Sequence, residues 1–464
     1  MKMWGKHRRT RTRARPGPSI GSAGRISWNL IAATQAILLM MVFGGPIPGL
    51  AVTVLIAVSA LILIAGLPFV GDGSHWQEQP LGLRVGLVGI ALLPLAQLVP
   101  MPPDLWHSLP GQVVRLRVLD VAGLSNTWQP LSVTPLATAG AAVIAIAFVA
   151  LVAFLLELSV PDLRRIAWLI LAIVAVNVLI GLVQVSTGGQ ALLFYAASDK
   201  GAFLGFFANK NHAAFALAAS LPVAAYALGA RHHPKGARTW LALYAGVVLI
   251  AIVTTNSRAG LGLGLMALLV LGSLYVRRVR PIYVLGIAAL VIVATVVVST
   301  TSAFETVFSR FNDVDQDLRW QFLWSSWPLI RHYWLWGSGI GSFSTLYAAN
   351  EPLALVKPTY VNQLHNEYPQ LLLEAGIAGV ALLVLLIASC LWRGAHLWRD
   401  PTARLHRLPL ACGALIIVLV AFHSGVDYPL RRPAALPLLA LALVLVIRAD
   451  VTASTGLSRP KQRA

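Results

Sequence analysis

Residues 135–157 read PLATAGAAVIAIAFVALVAFLLE. No charge interrupts the run before Glu157, and its length matches what a hydrocarbon core of about 30 Å requires of a helix. Runs of the same kind recur on both sides of it. Twelve spans follow, at 28–45, 47–70, 81–100, 135–157, 164–186, 212–230, 239–256, 260–276, 281–300, 375–392, 408–425 and 433–448. Only Gly44, Gly45 and Pro46 divide the first two. The chain therefore reads as an all-α polytopic membrane protein of about 12 transmembrane helices.

Composition agrees. Apolar residues make up 57% of the chain and charged residues 11%, against roughly 25% charged in soluble domains. So little charge could not cover a soluble surface, whereas helices in lipid must turn apolar faces outward. Cys390 and Cys412 lie inside apolar runs and form neither a disulfide framework nor a metal-ligand spacing. The net charge of +19 invites a nucleic-acid reading. The basic residues, however, sit in short loops between spans, so no nucleic-acid partner is expected. With the N-terminus inside, most Lys and Arg fall on the cytoplasmic side, which puts both termini in the cytoplasm. The basic tail Lys6–Arg15 reads as a topology anchor for anionic headgroups. The apolar stretch after it is too long for a signal-peptide core.

This divides the chain into a basic cytoplasmic tail (1–27), spans 1–9 (28–300), a large outer loop between spans 9 and 10 (301–374), spans 10–12 (375–448) and a cytoplasmic tail (449–464). A second outer loop covers 101–134. Unstructured loops beyond about 15 residues usually carry function, and most outer-side acids and aromatics fall in 301–374. There, Asp317 to Trp327 reads as a short helix with Trp320, Trp324 and Trp327 on one face. That stripe is either an interfacial anchor or a stacking surface for sugars. Asp313, Asp315 and Asp317 alternate as cation ligands can, but lack the Gly and terminal Glu of a calcium loop. A solvated acidic turn is the plainer reading. Gly337–Phe343 (GSGIGSF) permits either a tight turn or close backbone approach to a ligand.

Arg258 ends the seventh span in TTNSRAG, residues 254–260. It either snorkels to headgroups or serves as a fixed cation for phosphate, whose oxygens a guanidinium matches bidentately. Asn256 and Ser257 can complete such a site. His365 precedes Asn366, a natural N-cap, and Pro369, tolerated in a first helical turn. A loop histidine taken alone is usually structural or solvated, but its chemistry also suits general-base work. Asn209 and Asn211, at the entry to the sixth span, can line a cavity or cap the helix.

In order, FFANKNHA (206–213), TNSRAG (255–260), RWQFLW (319–324), WGSGIGSF (336–343), HNEYPQLLLEAG (365–376) and HSGVDYPL (423–430) resemble the bacterial O-antigen ligase and O-antigen polymerase superfamily. The resemblance covers about half the chain, residues 206–430. It implies an inverting, metal-independent glycosyltransferase with no cofactor, in the bacterial inner membrane, with the 301–374 loop periplasmic. The implied donor is a glycan on undecaprenyl diphosphate and the acceptor a saccharide or lipid-A–core. Oligomeric state is left open. By motif, Arg258 and Arg319 hold the diphosphate, with Arg331 as competitor for the second place, and His365 acts near the acceptor hydroxyl. Asn209, Asn211, Asn256, Ser257, Asn366, Trp320 and Trp324 complete the expected substrate-binding set. Pro369 departs from the family, which more often has Leu there. The competing function is a lipid-glycan flippase or other transporter. Against it, span centres hold few polar groups beyond Asn177 and Gln184, while pumps place charges at the midplane.

Overall fold

The computed structural model describes residues 28–46, 49–71, 73–195, 201–229, 236–275, 318–356, 361–400 and 407–448. The expected ninth span, the Asp313–Asp317 triplet and both tails lie outside these residues.

Apolar composition over helix-length runs gives helices almost everywhere. They are α1 (Trp28–Phe43), α2 (Leu50–Val70), α3 (Ser74–Gln77), α4 (Leu81–Ala96), α5 (Pro103–His107), α6 (Val113–Val121), α7 (Pro135–Glu157), α8 (Val160–Ser186), α9 (Lys210–Leu228), α10 (Ala237–Thr254) and α11 (Arg258–Tyr275). After residue 317 come α12 (Leu318–Tyr333), α13 (Phe343–Asn350), α14 (Glu367–Arg399), α15 (Arg407–Ser424) and α16 (Leu436–Ile447). Two 3-10 turns, Pro429–Arg431 and Pro433–Ala435, join the last two. A two-residue antiparallel ladder, β1 (Pro100–Met101) with β2 (Gln129–Pro130), closes the 101–134 segment. Among the described residues, seven helices are long and apolar enough to cross a membrane: α2, α7, α8, α9, α10, α14 and α15. The shorter apolar helices Trp28–Phe43, Leu81–Ala96, Arg258–Leu274 and Pro433–Ile447 coincide with four more expected spans. Eleven of the twelve expected spans thus fall on apolar helices.

One boundary differs from the sequence reading, the end of the interfacial helix. The tenth span is carried by a helix of 33 residues that starts at Glu367, behind the Asn366 cap. Gly376, at φ 63°, kinks it. Its polar first turns, with Glu367, Gln370 and Glu374, are buried against protein rather than lipid. The interfacial helix runs on to Tyr333, past Pro328. The 301–374 segment is accordingly helical over much of its described part.

α9 is the axis of the bundle. It packs against α8, α10, α11 and α15, and all but three of its residues are buried. Its many alanines explain this, since small side chains let helix backbones approach closely in lipid. The approach is tightest at Gly260, where a Cβ would lie 2.1 Å from that of Ala214. The polar pair within α8 serves the same core. Gln184 Oε1 accepts from Leu204 N (3.0 Å) and Gly205 N (2.7 Å), and Asn177 Oδ1 accepts from Phe206 N (2.8 Å). These amides hold the segment that turns into α9. At the other end, Arg448 Nη1 donates to the carbonyls of Leu156 (2.8 Å) and Leu158, covering the end of α7.

The glycine-rich 337–342 loop settles against the α14 kink. Ser338 N and Gly339 N donate to the Leu373 and Glu374 carbonyls, both at 3.0 Å. A Cβ on Gly337 would meet the Glu374 carbonyl oxygen at 2.4 Å. Close backbone approach is thus its role, toward a helix within the chain.

Candidate active site

Four chain segments meet at the end of the bundle where α9, α11 and α14 begin. Asn209 caps α9 by accepting from Asn211 N at 2.8 Å. Ser257 caps α11 by accepting from Gly260 N at 3.0 Å. Asn366 caps α14 by accepting from Tyr368 N at 3.2 Å. The fourth segment, His423 to Arg432, follows α15. Asn256 (φ 54°) and His365 (φ 57°) both take left-handed backbone conformations. Such a conformation is uncommon outside glycine, and Asn and His are among the residues that adopt it most readily.

Asp427 is the hub. Its Oδ2 accepts from Asn211 Nδ2 at 2.7 Å, and Ser257 Oγ in turn donates to Asn211 Oδ1 at 2.7 Å. Its Oδ1 accepts from Tyr428 N at 3.0 Å and lies 3.3 Å from His365 Nδ1 and 3.7 Å from His212 Nε2. The carboxylate is fully buried. Burial alone would raise its pKa, but the neighbouring His212 and His365 imidazoles outweigh that and hold it well below the ordinary carboxylate value. His365 also meets the Tyr428 ring, at 4.9 Å between centroids, and the Phe322 ring of α12, at 6.5 Å.

Two buried carboxylates fix the frame. Glu367 accepts from Leu430 N (2.7 Å) and Ser424 Oγ (3.1 Å), tying the α14 start to the 423–430 segment. Glu374 receives Arg431 Nη1 at 2.6 Å and Phe343 N at 3.0 Å. His365 directly precedes this anchored helix start, with Asp427 Oδ1 3.3 Å from its Nδ1.

The structure brings together Asn209, Asn211, Ser257 and His365, with Arg258 next to Ser257 at the first position of α11. Arg319, in the first turn of α12, is near enough to act electrostatically on His423. Arg331 sits in the last turn of that helix, exposed. At 1.5 Å per residue the two are about 18 Å apart along the helix axis. Trp320, Trp324 and Trp327 are all exposed. Sequence reasoning missed Asp427, His212, His423, Glu367, Tyr428 and Arg432. The 423–430 segment was singled out, but no role was given to its Asp.

His212, His423 and Asp427 also present ligand atoms within 4.8 Å of one another. Two imidazoles and a carboxylate suit a divalent transition metal. A cavity of about 340 Å³ opens beside the hub and includes Asn209, Lys210, Asn211, His365 and Arg432 in its wall. The arrangement offers a histidine paired with a carboxylate, facing a polar cavity, with cations at neighbouring helix ends.

Residues 243–384 match the family described as O-antigen ligase. The matched stretch contains Arg258, Arg319 and His365, while α9 and the Asp427 segment lie outside it. No curated protein matched the chain significantly. The match over residues 243–384 supports the O-antigen ligase/polymerase superfamily that the motifs resemble.

Proposed function

We propose that this protein transfers a glycan from undecaprenyl diphosphate to a saccharide acceptor on the periplasmic face of the bacterial inner membrane, with inversion and without a metal. The acceptor is lipid-A–core for a ligase, or the growing lipid-linked chain for a polymerase. The observation that carries this reading is the Asp427 hub, which links His365 to the Asn211–Ser257 pair beside Arg258.

His365 takes the proton from the acceptor hydroxyl as that oxygen attacks the anomeric carbon. The glycosidic bond to phosphate breaks, and undecaprenyl diphosphate leaves with the electron pair. Arg258 and Arg319 meet the charge developing on the diphosphate, the stabilisation such a leaving group needs. Asp427 is a positioning residue: with a proton on Nδ1 facing the carboxylate, the lone pair on Nε2 is directed at the acceptor. Asn209 and Asn211 line the cavity beside His365, Asn256, Ser257 and Asn366 belong to the segments that frame it, and Trp320 and Trp324 supply exposed faces for sugar stacking.

In a deletion strain, complementation with Arg258→Ala or His365→Ala should give no glycan transfer while the protein still inserts. Glycans run on a gel separate the two activities. Loss of the lipopolysaccharide ladder with long chains still made indicates a ligase, and single-repeat products indicate a polymerase. Unchanged glycans in the deletion strain would refute both. Chelation should leave transfer intact; loss rescued by a divalent cation would assign catalysis to the His212–His423–Asp427 set instead.

A further inference from the structure

The cavity beside His365 carries cations other than Arg258 and Arg319, neither of which lines it. Arg432 and Lys210 are in its wall with Asn209, Asn211 and Asn362, and no carboxylate is among the residues that line it. Arg432 is only 5% exposed. Its guanidinium lies over the Tyr428 ring, 4.9 Å from the centroid, and Nη1 has no hydrogen-bond partner among the described residues. A buried charged donor without an acceptor is costly, and Arg432 has little freedom to escape. Its N–H donates to the Pro429 carbonyl at 3.2 Å, its carbonyl accepts from Ala435 N at 3.1 Å, and Pro433 follows it directly. Lys210 occupies the first position of the 19-residue α9, where the helix dipole itself favours an anion.

We propose that this cavity is a second oxyanion subsite, which takes a phosphate or carboxylate group of a substrate with Arg432 as its fixed cation and Lys210 beside it. The proposal rests on the glycosyl-transfer reading for its substrates. Two sources offer the same chemistry: the diphosphate of the lipid-linked donor, or an acidic sugar on the acceptor glycan. The guanidinium fork suits either, since both present paired oxygens.

The test is binding without turnover. Full-length protein in nanodiscs is titrated calorimetrically with farnesyl diphosphate, with glucuronate and with uncharged glucose. Wild type should bind at least one anion, more weakly as salt rises. Arg432→Gln should weaken that anion about 10- to 100-fold, the range expected for hydrogen bonds to a charged group. Arg432→Lys should fall between, because it keeps the charge and loses the fork. An effect on farnesyl diphosphate assigns the cavity to the donor; an effect on glucuronate assigns it to an acidic acceptor. Lys210→Gln gives the same comparison should Arg432→Gln melt early. Wild-type affinity of both variants for both anions, or no anion binding by wild type, would overturn the proposal. Unchanged glycans in the deletion strain would instead refute glycosyl transfer and leave the binding result standing.

Discussion

Asp427→Asn is the most informative single change at the site. It keeps the shape of the side chain and removes its charge. At the 3.3 Å separating Asp427 Oδ1 from His365 Nδ1, a carboxylate and an imidazolium attract by about 5 kcal/mol at an effective dielectric of about 20. Water reaches the His365 side chain, which is 23% exposed, so we take about half of that. A loss of about 2.5 kcal/mol corresponds to a rate reduced roughly 70-fold. The remaining contacts survive the change: Asn211 can turn its amide over because its Ser257 partner can accept as well as donate, and the Asn oxygen can still receive Tyr428 N. The fold should therefore persist. The assay is single-turnover transfer in proteoliposomes carrying lipid-linked donor and acceptor, with a thermal melt alongside. The loss should appear in kcat with KM little changed, because the imidazolium exists only once the proton has moved. A properly folded Asp427→Asn protein that transfers within threefold of wild type would refute the pairing of Asp427 with His365 as a catalytic arrangement.

The α12 arginines give a second contrast: Arg319→Ala should lower transfer at least about 100-fold, as expected for a lost transition-state charge contact, while Arg331→Ala, about 18 Å further along the helix, should stay within a few-fold in the same assay. For pH, the folded Asp427 carboxyl titrates below its unfolded value, so its contribution to stability is complete above about pH 4 and is lost as pH falls through the lower folded value. Melting curves from pH 7 to pH 3 should show the wild-type advantage over Asp427→Asn constant at the upper end and shrinking only at the acid end; an advantage already fading at pH 6 would contradict this. Glu374→Leu removes both acceptor oxygens, leaves Arg431 without its 2.6 Å partner and should destabilise by about 3–5 kcal/mol, as breaking one side of a buried pair does, read as a lowered melting temperature.

The spans were legible because lipid imposes one rule on every residue facing it, and that rule depends on composition alone. The same rule fails where a helix meets protein. Glu367, Gln370 and Glu374 leave the first turns of α14 outside any hydropathy span, marked only by the Asn366 cap and Pro369, yet each is buried and bonded inside the molecule. Arg258 and His365 stood out by residue type and by the motifs around them, although an arginine at a span end can also snorkel to headgroups. Asp427 did not stand out, since one acid in a short connection resembles any solvated turn. Its role depends on α9, more than 200 residues away in the chain, delivering Asn211 and His212 to it. The close packing at Gly260 that carries Ser257 to Asn211 is likewise a property of two helices together, and no single segment announces it.

The geometry also suggests why the site lies at helix ends rather than mid-membrane. α9, α11 and α14 all present their N-termini here, and their caps or neighbours connect through Asp427 and its segment. Each such terminus carries roughly half a positive charge. Three together make a field suited to a diphosphate, before any side-chain cation is counted. The Asp427 carboxylate in that field is held well below its ordinary pKa, as the proposed orienting role beside His365 requires. A transporter would need to neutralise or move these charges in each cycle. An enzyme whose leaving group is a dianion on a lipid can keep them fixed, and fixed dipoles need no reorganisation as the bond breaks.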